Sequence, residues 1–600
     1  MPDVRCADHL CMLCVVGHPM AMHVARIRSS HVDRSGQRRD YESVLLRRTF
    51  REAGKVKHET LANLSGLGAE TVTAIEAALG GVRLVPADGA VTITRSLPHG
   101  HVAAVAAMAA SLGLPDLLGP SGRARDLALG LIISRVVRPA SKSATLGWWA
   151  DTTLGVDLGI AGACTDEVYA AMDWLTARQD AIEAARHLSV AANPSRMALF
   201  DLSSSWVEGS HCELAARGYS RDGKKGKAQI EYGLLTDPVG RPVAVRCFTG
   251  NTADPTAFIT AVEVVRTKFG LTDMVMVGDR GMITSARIAA LRELGGLSWL
   301  TCLRAPAIAA LAAPGGPLQL TLFDQADLAE ITHPDYPGER LIACRNPFLA
   351  AERARKRSEL LVATETAIAL IATRVVAGKL AGADRIGIAV GKVINRHKMA
   401  KHFDLTITDT TLSLTRRPDA ITAEAALDGI YALRTPVDAA TLPTAAVVAA
   451  YKSLAHVERN FRTIKADDLD LRPIWHRLQD RVRAHVLICM LAAYLVWHLR
   501  RAWAELTYTD EHPATEHDNP VAPAARSTHA EAKASRHHHP DTGAPIAGFR
   551  ALLTHLGTLT RNDLRFTGTH TTIPTLAEAT PRQARAFALI SAPIPLTITP

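Results

Sequence analysis

Six hundred residues, 48% of them hydrophobic, can fill several buried cores, which excludes a wholly disordered chain. With 68 basic and 59 acidic side chains the net charge is +9, which favours a polyanionic partner; the nine cysteines have no regular spacing, which excludes a disulfide scaffold. The longest apolar stretch, Val486 to Trp497, is bracketed by Arg481, Arg483, Arg500 and Arg501, is too short to cross a bilayer, and predicts a buried core helix with no membrane partner.

Taken in chain order, Met1 to Ala21 holds Cys6, Cys11 and Cys14 with His9 and His18 nearby. A single Cys-x-x-Cys lacks the second ligand pair of a structural zinc site, so this stretch reads as an upstream extension before a native start at Met22. Residues 22–194 are expected to be mostly helical: apolar residues recur at three and four spacing in Val102 to Leu112, Leu127 to Val137 and Val168 to Leu188. The basic stretch Arg38 to His58 reads equally as a grip on phosphates or as a solvated face.

Residues 195–303 are richer in strands. Arg196 to Phe200 runs apolar into Asp201, and Gln229 to Leu235 and Pro242 to Phe248 flank the turn Asp237-Pro238-Val239-Gly240. Thr256 to Phe269 predicts a helix, Met274 to Val277 a buried strand, Ser285 to Leu294 a helix and Trp299 to Leu303 a strand. Residues 304–445 break this pattern and read as an inserted β-containing domain. It has a charged helix at Ala351 to Val376 and strands at Arg385 to Val390, Asp404 to Thr408, Thr411 to Thr415 and Gly429 to Arg434. Helical periodicity resumes over 446–506. Residues 507–545, rich in His, Pro and Ala, read as a disordered linker in which His537, His538 and His539 are solvated. The segment 546–600 is expected to open with a helix at Phe549 to Leu559.

Three carboxylates stand out. Asp201 follows an apolar strand, and so does Asp279 in Val277-Gly278-Asp279-Arg280-Gly281. Either alone is an ordinary turn former or helix cap. Together they gain weight from their setting. Three strands, helix, strand, helix, strand is the order of a ribonuclease-H-like core, whose first and fourth strands are neighbours, and carboxylates at adjoining strand ends can share a hard cation. Glu458 supplies a third oxygen donor. Tyr451, Glu458 and Lys465 are seven apart and predict a polar helical stripe with Arg462 close by, while Leu454, Val457, Phe461 and Ile464 form a separate apolar face. The bland alternative for that stripe is an exposed face carrying Glu–Arg and Glu–Lys pairs.

The order of these motifs resembles the DDE transposases of bacterial insertion sequences, in the branch with a Tyr–Arg–Glu–Lys signature and a core split by a β-rich insertion. The matching stretches include Tyr41 to Val56, Arg135 to Trp149, Asp201 to Gly209, Gly218 to Asp237, Gly250 to Asp254, Gly278 to Gly281, Gly391-Lys392-Val393, Leu427 to Thr435 and Tyr451 to Arg472. The resemblance implies a multidomain α/β protein with a helical amino-terminal region. It implies a catalytic triad of Asp201, Asp279 and Glu458 holding two Mg2+ or Mn2+ ions, with Tyr451 and Lys465 on element-end DNA. Arg462, Lys224 and Lys225 are further candidates for DNA contacts, and Lys227 stands in the same loop. It also implies double-stranded DNA as partner, a homodimer assembled on it, and a cytoplasmic, nucleoid-associated setting. One departure is Leu454, where the signature has Arg four residues before the Glu. Two rivals remain open at this stage: a relic that binds ends without cutting, and a nuclease that never joins strands.

Overall fold

Why the central strands form is visible in Met197–Trp206 (β5, in the order below). Alternate residues point to opposite faces, Met197 and Leu199 into one core, Ala198, Phe200 and Leu202 into another, so both faces must be covered. The computed structural model describes residues 21–32, 38–82, 91–183, 185–189, 191–324, 326–513, 519–523, 525–566 and 569–599. The cysteine and histidine cluster of the first twenty residues lies outside the described residues.

The chain divides into two units, residues 1–95 with 563–574, and the remainder. The first unit contains a three-stranded antiparallel sheet, β1 (Ala21–Val32), β2 (Arg38–Glu52) and β3 (Lys55–Asn63), and the helix Ala69–Leu79. Here the expectation of a mostly helical region from residue 22 is corrected. Helical periodicity begins only near residue 69, whereas β2 keeps an unbroken antiparallel register with β1 from Ala21↔Thr49 to Val32↔Arg38. β4 (Val91–Pro98) then leads into the helices Gly100–Ser111, Arg123–Val137 and Thr165–Ala177, which match the three periodic stretches.

The second unit is built on an eight-stranded mixed sheet. After β5 come β6 (Gln229–Thr236), β7 (Pro242–Thr249), β8 (Met274–Val277), β9 (Leu297–Cys302), β10 (Leu328–Ile331), β11 (Arg340–Arg345), β12 (Phe403–Ile407), β13 (Leu412–Arg416) and β14 (Ile430–Thr435). The spatial order is β10-β11-β14-β9-β8-β5-β6-β7, with β8 parallel to both β5 and β9 and the other pairs antiparallel. The helices Asp254–Glu263 and Ser285–Leu294 cover one face through Phe258, Val262, Ile288 and Leu291. The other face takes Val457 and Phe461 of the helix Leu454–Arg462 and the apolar length of the helix Gln479–Ala502. That last helix is long and apolar enough to span a bilayer by composition, yet Val482 to Val496 is almost wholly buried against protein, as expected of a core helix. Each fully buried Leu or Ile in it contributes about 1.5–3 kcal/mol.

Residues 304–445 differ from the expected separate domain. β14 pairs with β9 through Leu433↔Cys302 and Arg434↔Thr301, so β14, β11 and β10 continue the core sheet. What leaves the sheet is the stretch between β11 and β14, two paired antiparallel strands, and it departs and returns at one point, where the Asn346 N–H donates to Gly429 O at 2.9 Å. That excursion is mainly helical. Pro347–Val376 and Ala383–His397 pack on each other and on the β12–β13 hairpin through Ile368, Ile371, Ile386 and Val390. The strand expected at Arg385 to Val390 is therefore helix. Its short apolar run fits either period, and longer-range spacing from Ile386 to Ile394 matches the helix.

The segment 507–545 is also not the structureless linker expected, because its described residues include the helix Thr528–Arg536. This helix buries Ala530 and Lys533, so no apolar stripe announces it; the Lys533 ammonium donates to Ala504 O at 2.8 Å and Thr509 O at 3.2 Å. The helix Phe549–Gly557 follows, then β15 (Thr560–Phe566), β16 (Thr572–Leu576) and the helix Pro581–Leu589, with β15 lying between β16 and β4.

Candidate active site

The parallel register places the first two carboxylates. Leu199 on β5 is level with Val277 on β8, and two residues beyond each stand Asp201 and Asp279. Asp201 lies within β5 rather than at its end, opposite Leu234 of β6. Asp279 follows β8 in a tight bend, where its Oδ1 accepts the Gly281 N–H and its carbonyl accepts the N–H groups of Met282 and Ile283. Glu458 comes from the helix Leu454–Arg462, which packs on β5 and β6 with Phe461 edge-on to Tyr232 at 5.8 Å between ring centroids. That helix buries Val457 and Phe461 in the same core as Leu199 and Val277, so all three carboxylates stand on one side of the sheet.

Their electrostatics follow from that convergence. The Asp201 carboxyl is pushed up to about 7, first by burial and then by the negative charges of Asp279 and Glu458, against the Leu202 N–H bond and the Arg221 charge, which lower it. Arg221 joins two further carboxylates: its Nη2 donates to Asp254 Oδ1 at 2.6 Å, and its Nη1 lies 3.4 Å from Glu231 Oε1. Burial pushes Glu231 up to about 7 as well, with Arg221 opposing. Asp254 and Asp279 line a common cleft of about 370 Å3 with Arg280, Gly281 and Arg304. A side chain at Gly281 would crowd it, its Cβ falling 3.0 Å from Asp279 Oδ1 and 3.6 Å from Asp254 Oδ2. Asp254 also lines an adjoining cleft of about 310 Å3 with Tyr219, Arg221 and Glu231.

The comparisons with known proteins meet this geometry. The family described as transposase DDE domain matches residues 198–495, a span that contains all three carboxylates. The family described as IS1634 family transposase, N-terminal domain, matches residues 32–83, within the unit of β1 to β3. The chain belongs to the DDE-type transposases of insertion sequences. No curated protein matches it.

The residues expected to touch DNA in this transposase are placed unequally. Tyr451 closes the helix Thr444–Lys452 beside Cys302, close enough to Asp279 and Arg280 to be influenced by both charges, and burial raises its phenol above the usual range. Arg462, Lys224 and Lys225 are exposed, with the Lys224 ammonium 5.2 Å over the Trp206 ring; Lys227 pairs with Glu208 at 2.9 Å. Lys465 is different. Its Nζ donates to Asp222 Oδ1 at 2.8 Å, Arg472 donates to the same oxygen at 2.6 Å, and burial lowers the Lys465 pKa. The heptad stripe assumed one regular helix, but the run breaks at Ser453 and widens to a π-turn over Thr463–Asp467, which turns Lys465 into the protein. Leu454 packs against the core, where an apolar side chain belongs.

Sequence reasoning missed Glu231, Asp254 and Arg221. A usable signal existed for the first, the one charged residue in the strand Gln229–Thr236, every residue of which is buried. None existed for the pairing with Arg221. A separate group in the tail, Glu511, His529 and His539, brings three ligand-type atoms within 4.8 Å of one another. It is answered internally. Lys533 and His539 Nε2 both contact Glu511 Oε1, and His539 Nδ1 accepts the Asp541 N–H at 3.2 Å, which leaves Nε2 as a donor rather than a free ligand. His537 is bonded to the Tyr508 hydroxyl at 2.8 Å and His538 Nδ1 lies 2.9 Å from Arg536 O, so neither joins that group.

Proposed function

We propose that this transposase cuts the ends of its element and joins them to target DNA, using Asp201, Asp279 and Glu458 to hold two Mg2+ or Mn2+ ions on a ribonuclease-H-like core. The observation that carries the reading is Asp201, pushed up to about 7 by burial and by two other carboxylates on the same side of the sheet. Three crowded carboxylates without three cations to answer them suit a hard divalent ion, and an all-oxygen donor set suits Mg2+ or Mn2+ over zinc. When bound, such ions supply an activated attacking oxygen and a stabilised leaving oxygen.

The chain's own groups do the rest. The Gly281 N–H fixes the Asp279 carboxylate. Arg221 holds Asp254 at the cleft and offsets part of the negative charge on Asp201 and Glu231. Exposed Arg462, Lys224 and Lys225 are assigned to phosphates, and Tyr451 borders the Asp279 bend. The five strands β7-β6-β5-β8-β9 follow the order expected of the catalytic core, and the three added strands with their helical excursion correspond to the interruption of that core. The unit of β1 to β3 is assigned to DNA binding, the partner is double-stranded DNA at element ends and target, the assembled form is a homodimer, and the setting is the bacterial cytoplasm and nucleoid.

Asp279→Asn tests the reading. It keeps size and hydrogen bonding but removes a charge the ions need, so cleavage of a labelled end should fall on the order of 10^3-fold or more while binding holds. Cleavage at the parent rate would move the metal site elsewhere. A strand-transfer assay with a pre-cut end separates a transposase from a nuclease, since only the former yields a joined product.

A further inference from the structure

We propose that the exposed cationic stripe Arg385, Lys392 and Arg396 of the helix Ala383–His397 is a docking surface for the phosphate backbone of duplex DNA, an assignment that rests on the transposase reading and extends it to the helical excursion. Positions i, i+7 and i+11 of a helix fall within about 40° of one line and span roughly 16 Å. All three side chains are exposed, while Ile386 and Val390 face the opposite way into the excursion's own core. The stripe is therefore not a by-product of folding.

Its charge is also unanswered. Acids of the preceding helix Pro347–Val376 are matched nearby, Glu352 by Arg355 and Glu365 by Arg416. Asp409 accepts the Ala383 N–H at 2.9 Å and so holds the start of the cationic helix. Among the described residues Arg385, Lys392 and Arg396 have no ion pair. The same helix carries Gly387 and Gly391, each costing about 1 kcal/mol relative to Ala in a helix interior. A Cβ at either would meet nothing within 4 Å, so internal packing does not require glycine there. Both glycines fall on the side of the helix turned away from the cations, about 160° and 120° round from Arg385, so the stripe itself is made by the three side chains alone. A helix fits the major groove of B-DNA, roughly 12 Å wide, and three unpaired cations select the polyanion over a second protein surface.

Binding should be measured without divalent metal on two duplexes of about 40 base pairs, one copied from the terminal repeat bordering this gene and one of random sequence. The triple variant R385A/K392A/R396A should weaken both by a similar factor and lower the salt slope by about 2.7, or 0.9 per phosphate. Between about 50 and 200 mM salt the parent should then lose roughly 40-fold more affinity than the variant. Lys392→Gln alone should give about one third of the slope change, and R355A/K356A, which removes paired cations from the neighbouring helix, should give less than either. An unchanged slope in a variant that still binds overturns the surface alone. So does a change in the sedimentation of the DNA-free protein in place of a DNA effect, which would make the stripe a contact between copies. A parent protein that binds neither duplex overturns the transposase reading, and this assignment falls with it.

Discussion

Asp201 and Asp222 both lie in the stretch that matches the DDE family, Asp201 half-buried and Asp222 with its side chain buried, and their surroundings treat them in opposite ways. Asp222 takes Lys465 at 2.8 Å and Arg472 at 2.6 Å on one oxygen, joining the loop after β5 to the chain beyond Glu458. Asp201 has Arg221 in reach but faces Asp279 and Glu458, and is held near 7. The difference teaches that burial of an acid does not by itself mark a reactive site. An acid that arrives with its cations is a structural tie; an acid crowded by other acids is the one proposed to take a cation from outside.

The comparison breaks most directly on paired substitutions. Asp201→Asn should abolish cleavage, on the order of 10^3-fold or more, with folding intact and the thermal midpoint equal or higher, because a repelling charge is removed. Asp222→Asn should do the reverse. It leaves Lys465 buried without its countercharge and should cost about 3 kcal/mol in a denaturant titration, with residual cleavage proportional to folded protein. If the stability loss falls on Asp201 and the chemical loss on Asp222, the two assignments are exchanged.

A pH series sharpens it. The Asp201 carboxyl is raised from 3.8 to about 7, so the folded state binds the extra proton between those values. Its contribution to stability is fully present below about pH 4 and is lost as pH rises through 7. Metal-free protein should therefore weaken over that window by up to a few kcal/mol. Asp201→Asn should flatten the profile, and Mn2+ should offset the loss most strongly at the alkaline end. A profile identical in parent and variant would show that Asp201 ionises as an ordinary exposed acid.

The smallest effect separates two cations of the same helical run. Arg462 is exposed, so Arg462→Ala should lower the salt slope of end binding by about 0.9. Lys465→Ala should leave that slope unchanged and appear instead as lost stability, because Lys465 is matched by Asp222. Equal slope changes for the two would mean that the Asp222 tie opens on DNA.

What was legible in the sequence alone is what local pattern encodes. The apolar runs of β5, β6, β7, β8 and β9, the helices between them and the buried helix around Val486 to Trp497 followed from period and residue type, whereas the grouping of Asp201, Asp279 and Glu458 came from the order of motifs that resembles the family. Pattern failed where it was ambiguous or where burial was not apolar. The run Arg385 to Val390 fits either period. The helix Thr528–Arg536 buries a lysine, and the amino-terminal strands carry their polar residues outward among many charges. Tertiary structure decided which ions are answered. Lys465 meets Asp222 across 243 positions, and Arg221 meets Asp254 across 33. Coulomb energy depends on separation in space and on the water excluded between the groups. Neither quantity is carried by neighbours in the chain, so only the packed fold distinguishes the carboxylate that ties the protein together from the carboxylates proposed to bind its metal.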